Sequence, residues 1–370
     1  MTKILVAGGG LAGSAVATAL AQAGIAVTLV ERETAPVHKI CGEFLSAEAQ
    51  IYLRRLGLDI GPLGGAVISQ LRLIRGNKEI TTTLPFQGLG LSRFTLDEAL
   101  LNHAAASGAA IQRGHAIRGI ANGAVDIKEF GTIHPETLFL ATGKHELRGM
   151  KRNSASPDDL IGFKTYFRLT PQAQANLKDH IDLILFQDGY AGLQLVEGGL
   201  ANFCLLIGRA RFQHAGGNWA GLLDHLLQSS PYLARQLAGA AEMLQQPLSI
   251  YRVPFGFIHK PEKTDPSEVF RLGDQAGVIQ SFTGDGMSIA LHSAALAVEY
   301  YLNGQTAQAY HRRLSRDIRG QIKRAGALYN LIGHNPVQAG LFSLARLWPG
   351  GLGVAARLTR VPLKAMRGII

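Results

Sequence analysis

Three glycines, Gly8, Gly10 and Gly13, stand at G-x-G-x-x-G spacing within GGGLAG, and Glu31 follows Gly13 by 18 positions. Glycines so placed can bind a diphosphate. The first permits a tight turn, the second lets the phosphates approach the backbone, and the third lets a helix pack closely on a strand. The helix N-terminus then offers unpaired N–H groups and the positive end of its dipole to negative charge. An acid about 20 residues further on reaches a ribose hydroxyl and favours an unphosphorylated adenosine ribose. Leu11 and Ala12 would lie with the glycines at the phosphates, and Arg32 beside Glu31 at the ribose. Glu43 in the loop HKICGEF could serve as an acid or base if burial raises its pKa, or be a solvent-facing carboxylate.

These residues need a strand, a turn, a helix and a second strand. Ile4–Ala7 is a short apolar run of the kind that forms a buried parallel strand. An Ala-rich segment of one helix follows the glycines, Gly24 stops it, and Ala26 to Val30 is the second apolar run. No charged side chain occurs from Ile4 to Val30, so a signal peptide or a membrane helix competes with this reading. The ordered glycines and the acid decide against both. With the signal rejected, the cytoplasm is the expected compartment.

At 47% hydrophobic and 17% charged residues, a globular chain is expected rather than a disordered one. Two cysteines, Cys41 and Cys204, cannot build a disulfide framework or a cysteine-rich metal site, and no metal is expected. The net charge is +10, and no acid follows Asp317. Arg319, Lys323, Arg324, Arg346, Arg357, Arg360, Lys364 and Arg367 lie in that stretch, among apolar residues such as Leu344, Leu347, Trp348, Val354 and Leu358. Such a mixture fits peripheral contact with anionic lipid, or a segment that closes the core. No motif accompanies the charge to suggest nucleic acid.

Further along, Ser46 to Leu56 reads as a helix closed by Gly57. Val67–Arg75 and Glu79–Leu84 read as strands joined at Gly76-Asn77. Thr95 and Glu98 have capping-box spacing at the head of a helix to Gly108. Leu138 to Ala141 is a strand ending in Thr142-Gly143. Antiparallel strands are expected over Ile161–Leu169, Ile181–Gln187, Tyr190–Val196 and Leu200–Ile207. Helices follow over Trp219–Leu227 and around Leu233 to Leu244, and Val269–Leu272 is a strand ended by Gly273-Asp274.

GGGLAG, Glu31, LSRFTLDEAL, LFLATG and RLGDQAGVIQSFTGDGMSIAL occur in the order found in FAD-dependent monooxygenases of the para-hydroxybenzoate hydroxylase type, which the chain resembles over roughly residues 1 to 300. CGEFLS and TGDGMSIAL look most like the geranylgeranyl reductase branch. The resemblance implies an α/β fold: a Rossmann-like FAD-binding domain with a parallel sheet, an antiparallel-sheet substrate domain and a helical C-terminus. The expected divisions are 1–160 with 265–325 for FAD, 161–264 for substrate, and 326–370 for the basic helical segment. A β insertion near 62–88 could join the substrate domain.

For individual residues the resemblance implies that Gly8, Gly10 and Gly13 face the diphosphate, Glu31 binds the ribose and Arg93 contacts FAD. Gly273 and Asp274 would meet the ribityl chain or diphosphate. Gly284, Asp285, Gly286 and Met287 would lie against the isoalloxazine, where a helix N-terminus can favour a reduced, anionic ring. Cys41 would sit near the flavin to position substrate or supply a proton; packing as a small hydrophobe is the alternative. Tyr251, Pro254, Phe255 and Phe257 are expected to line an apolar tunnel or to fill the core.

Thr142-Gly143 stands where many hydroxylases of this type carry Asp-Gly, which puts a cofactor or nicotinamide contact there in doubt. No convincing second nucleotide site occurs, so electrons come from transiently docked NAD(P)H or a redox protein. The expected function is FAD-dependent oxidation of a lipophilic small molecule by reduced flavin and oxygen. Reduction of a carbon–carbon double bond and non-redox carriage of a prenyl lipid are the alternatives, with NAD-dependent dehydrogenation weaker.

Overall fold

The computed structural model describes residues 3–121, 123–152, 159–262, 265–332 and 335–366. Ile4–Ala7 is the central strand of a five-stranded parallel sheet ordered Val269–Arg271, Thr137–Leu140, Ile4–Ala7, Thr28–Glu31, Ala110–Arg113. A strand covered on both faces reads as a continuous apolar run, which is how this one reads. Ile4 and Val6 pack on the helices Leu11–Gln22 and Gly286–Leu302. Leu5 and Ala7 pack on Ile120, Val125 and Ile127 of the three-stranded antiparallel sheet Ile117–Ala121, Ala124–Ile127, Gly131–Ile133. The strand Val269–Arg271 pairs with Thr137–Leu140, so the C-terminal part of the chain returns to the first sheet.

The larger sheet holds the strands Leu160–Arg168, Ala201–Gly208, Gly189–Leu195, Asp179–Phe186, Ala66–Arg75 and Lys78–Gly90 in that order, with Leu248–Tyr251 on the first of them. It is not purely antiparallel as the sequence suggested, because Asp179–Phe186 runs parallel to Ala66–Arg75. The strand expected to stop at Leu84 continues to Gly90. Pairing jumps from Gln70–Thr83 to Ile68–Gly88, so Pro85 sits in an irregularity that needs no ladder N–H.

Two local boundaries also differ. The helix Arg93–Ala106 is capped by Ser92, whose Oγ accepts from the Thr95 N–H at 3.1 Å, while the Thr95 hydroxyl donates to Glu197. The helix expected to run to Leu244 ends at Leu237, and Ala241–Glu242 joins the sheet edge.

Beyond Leu302 come the helices Ala307–Ile332, Asn335–Leu347 and Gly350–Leu358, the first passing through the expected division at residue 326. Among the described residues no helix is long and apolar enough to cross a membrane. Arg367 of the basic stretch lies outside the described residues.

Candidate flavin site

The first turn is built as its glycines require. Gly8 adopts φ +108°, and a Cβ there would come within 2.5 Å of the Ala141 carbonyl oxygen. A Cβ on Gly13 would fall 1.9 Å from the Gly8 carbonyl oxygen, so the helix Leu11–Gln22 can rest on the turn only as it is. Gly10 caps that helix without any side-chain hydrogen bond, and Gly10, Leu11 and Ala12 line a cavity of about 830 Å³. The Glu31 carboxylate is buried at the end of its strand and accepts from the N–H groups of Gly9 at 2.5 Å and Glu33 at 3.0 Å. Arg32 lines the same cavity and pairs with Glu33.

Arg93 opens its helix at the cavity wall. Its Nε and Nη2 donate to Asp97 at 2.6 and 2.8 Å, and Lys39 donates to the same carboxylate at 2.8 Å. Burial opposes the Arg93 charge, but Asp97 raises its pKa; burial opposes the Asp97 charge too, and Arg93 with Lys39 holds that carboxyl below its ordinary value. Two cations thus share one carboxylate at the groove wall. Thr142 and Gly143 line it as well, Gly143 at φ +63° with its carbonyl accepting from Gln275 at 2.7 Å.

The second glycine segment meets the cavity from the other side. Gly273, at φ +52°, donates its N–H to Ser293 Oγ at 2.9 Å; Asp274 lines the cavity, and its backbone oxygen accepts from Arg152 at 2.9 Å. Gly284, at φ +67°, precedes the helix Gly286–Leu302, which has no side-chain cap. A Cβ on Gly286 would meet nothing within 4 Å, and Gly284, Gly286 and Met287 all line the cavity. Asp285 stands apart. Its buried carboxyl lies 3.5 Å from Arg360 and 3.4 Å from Gln321, outside the wall, and burial pushes its pKa up to about 7 against the pull of Arg360. The uncapped starts of two helices, the bare glycines and the Arg93 and Lys39 side chains form a cradle fit for the diphosphate and flat ring of FAD.

Cys41 and Glu43 lie on the loop between these parts. Glu43 takes φ +59° and is fully buried, which removes the solvent-facing alternative. It accepts from Lys164 Nζ at 2.5 Å, from the Tyr166 hydroxyl at 2.9 Å and from the Arg93 N–H at 2.7 Å. Burial pushes its pKa up, opposed by Lys164, the Arg93 N–H and Tyr166. Lys164 also donates to the Lys39 carbonyl at 2.9 Å, and Asn202 donates to the carbonyls of Cys41 and Gly42 at 3.2 and 2.8 Å. Lys164, Tyr166 and Asn202 were missed in the sequence. A lysine inside the apolar strand LIGFKTYFR was the available signal, because a lysine is almost never fully buried without a partner.

The far wall of the cavity is one face of the large sheet. Leu183, Gly192, Cys204 and Lys164 stand opposite one another across successive strands. Ile181, Gln194 and Leu206 line the cavity from the same sheet, and the Gln194 amide atoms have no partner among the described residues. Burial pushes the Cys204 thiol up to about 12 despite Lys164, so it stays protonated. Of the segment expected to supply aromatics, Leu248, Ser249, Ile250 and Val253 form the wall. Tyr251 is 59% exposed, Phe255 packs edge-on against Tyr329, Phe257 pairs with Val278, and Pro254 is buried outside the wall.

Residues 1–146 match the family described as FAD binding domain. No curated protein matches the chain by sequence. Among solved structures, the chain is similar to the flavin-dependent brominase Bmp2, with 17% identity, a TM-score of 0.78 and coverage of 100% of this chain and 96% of that one. The myxobacterial chondrochloren halogenase CndH gives 18%, 0.77, 100% and 95%. CmlS, a flavin-dependent halogenase, gives 20%, 0.73 and 88%, and this chain spans 63% of its length. Identity this low speaks for a shared fold alone. Together with the FAD-binding match, it makes the chain an α/β flavoprotein whose cofactor is FAD.

Proposed function

We propose that the protein is an FAD-dependent monooxygenase acting on a lipophilic small molecule. One observation carries this reading: a single cavity of about 830 Å³ is glycine-lined, with Arg93 and Lys39 beside it, at the FAD-binding turn and walled by Leu71, Ile181, Leu183, Leu206 and Ile250 at its other end. Cavities of this size, mostly apolar with few polar groups, bury drug-sized molecules. The net reaction is R–H + O2 + NAD(P)H + H⁺ giving R–OH + NAD(P)⁺ + H2O, with the flavin supplying the redox chemistry when bound.

The chain's own residues bind, orient and exclude water. Gly10, Leu11 and Ala12 offer backbone N–H groups to the diphosphate, and Arg93 with Lys39 adds positive charge. The N-terminus of the helix Gly286–Leu302 favours negative charge where the ring would lie. The apolar sheet face holds a greasy substrate, and Cys41 lines the same cavity. Docked NAD(P)H or a redox protein supplies the electrons.

A second reading is halogenation, supported by the halogenases among the similar structures. Reduction of a double bond rests on the CGEFLS resemblance. The test is turnover of lipophilic candidates by the yellow holoprotein under ¹⁸O2, with and without bromide. Labelled oxygen in the product is expected. Product formed without oxygen overturns the reading in favour of reduction, bromide-dependent bromination in favour of halogenation, and a colourless protein that FAD cannot reconstitute in favour of a carrier.

A further inference from the structure

Twelve large apolar side chains are exposed among the described residues, and five of them fall within residues 344–358: Leu344, Leu347, Trp348, Val354 and Leu358. Leu347 is 85% exposed and Trp348 61%. Leu344, Leu347 and Trp348 have i, i+3, i+4 spacing at the end of one helix, and Val354 and Leu358 have i, i+4 spacing on the next. Side chains so spaced share a helix face. These exposed side chains are additional to the apolar ones that the same helices turn into the fold. Phe342 packs inward with Tyr190, Leu206 and Val253, and Ala356 packs against the cluster of Phe44 and Ile68. Tyr190, Leu206, Val253 and Phe44 themselves line the cavity. The hairpin therefore has one apolar face on the back of the cavity wall and another turned outward.

Charge identifies what the outward face meets. Lys323, Arg324, Arg346, Arg357 and Lys364 are exposed around it, and no acid follows Asp317 in the sequence. Arg360 is excluded from this set, since it is buried against Asp285. We propose that the hairpin of helices Asn335–Leu347 and Gly350–Leu358 docks on an anionic lipid bilayer, with Leu344, Leu347, Trp348, Val354 and Leu358 in the headgroup–acyl boundary and the cations on the phosphates. Exposed apolar side chains and cations carried together on a stretch of chain without acids bind such a surface through burial and charge together. A tryptophan is at home at that depth. The docked bilayer lies next to the apolar end of the cavity, where a lipophilic substrate belongs. That last consequence rests on the proposed function; the docking does not.

Trp219 and Trp348 are the two tryptophans of the chain, so W219F leaves Trp348 as a single reporter. The holoprotein would be mixed with vesicles of phosphatidylcholine alone or with one third phosphatidylglycerol, and scored by co-sedimentation and emission. Binding and a blue shift are expected with the anionic vesicles only. R346Q/R357Q removes two cations and should weaken binding about thirtyfold. L347E/W348E should abolish it in the chain with Trp219 retained, while flavin absorbance and melting temperature stay at the parent values. Failure of the parent to bind anionic vesicles overturns the proposal. So does a dimer that L347E/W348E dissociates, or binding to an acidic protein, when either occurs without vesicle binding. Since no turnover is measured, failure here leaves the proposed reaction standing.

Discussion

Lys164→Met isolates the buried ion pair with Glu43. Both side chains are fully shielded from solvent, and Lys164 Nζ also holds the Lys39 carbonyl. Removing one partner of a buried pair typically costs 3–5 kcal/mol, because the other charge is left uncompensated. Glu43 keeps the Tyr166 hydroxyl and the Arg93 N–H, so the lower end, about 3 kcal/mol, is expected at pH 8. Burial already pushes the Glu43 carboxyl up, and without Lys164 it rises further. The folded state then keeps a proton that the unfolded state has released, so stability is present at low pH and lost as pH rises through the folded value. The deficit should be smaller at pH 5 than at pH 8, because protonation of Glu43 removes the stranded charge. Glu43→Gln strands the ammonium instead, so its deficit should not shrink as pH falls. The assay is urea unfolding of the holoprotein at pH 5 and pH 8, followed by circular dichroism, for both variants and the double variant. The double variant should recover part of the loss, since neither charge is then stranded. Equal deficits of Lys164→Met at the two pH values, or pH trends of the same sign for both variants, would refute the pairing.

Gly13→Ala should abolish flavin binding, because the new methyl would lie 1.9 Å from the Gly8 carbonyl oxygen, whereas Gly10→Ala meets side-chain ends alone, Arg93 Nη2 nearest at 3.4 Å, and should weaken binding about tenfold; flavin absorbance after gel filtration separates the two. Glu31→Ala removes the acceptor of the Gly9 N–H, a charge-assisted hydrogen bond worth about 1.5–3 kcal/mol, so the FAD dissociation constant should rise about 10- to 100-fold by calorimetry. Asp285, pushed up to about 7, keeps its proton in the folded state over a range where the unfolded state has lost it. Asp285→Asn should therefore remove a stability loss of about 1.4 kcal/mol per pH unit between pH 5 and 7, and an unchanged slope would count against the burial argument. Cys204, with its thiol pushed up to about 12, should resist iodoacetamide at pH 8 in the folded protein and react on unfolding, as read by mass spectrometry.

What the sequence disclosed follows from how local each constraint is. The turn at Gly8, Gly10 and Gly13 needs particular residue types at fixed spacing, so the constraint is written in adjacent letters. Four of the five parallel strands were legible as apolar runs, while Ala110–Arg113, with Gln112 and Arg113 on a sheet edge, was not, and Ser46 and Gly57 marked the ends of the helix Ala47–Arg55. The pair Lys164–Glu43 was not, since its members lie 121 positions apart and only sheet packing brings them together. Tyr251 misled for a reason of period. In the strand Leu248–Tyr251, Leu248 and Ile250 stand opposite Lys164 and Gly162, and the aromatic next in line points the other way. Asp285 sits in a glycine segment that faces the cavity, yet its own side chain is committed to Arg360, 75 positions later.

The two halves of the cavity share one set of hydrogen bonds. The loop from Lys39 to Glu43 borders the flavin side, but its fastenings come from the larger sheet: Lys164 holds Lys39 and Glu43, and Asn202 holds Cys41 and Gly42. Glu43 in turn accepts from the N–H of Arg93, whose side chain carries charge to the groove. A shift of the Leu160–Arg168 strand of a few tenths of an ångström would lengthen charge-assisted bonds, which lose strength steeply with distance and angle. Displacement of the sheet face would thus be felt at the loop beside the cofactor cradle. Two apolar side chains in place of Lys164 and Glu43 would cost less to bury but would hold neither the Lys39 carbonyl nor the Arg93 N–H.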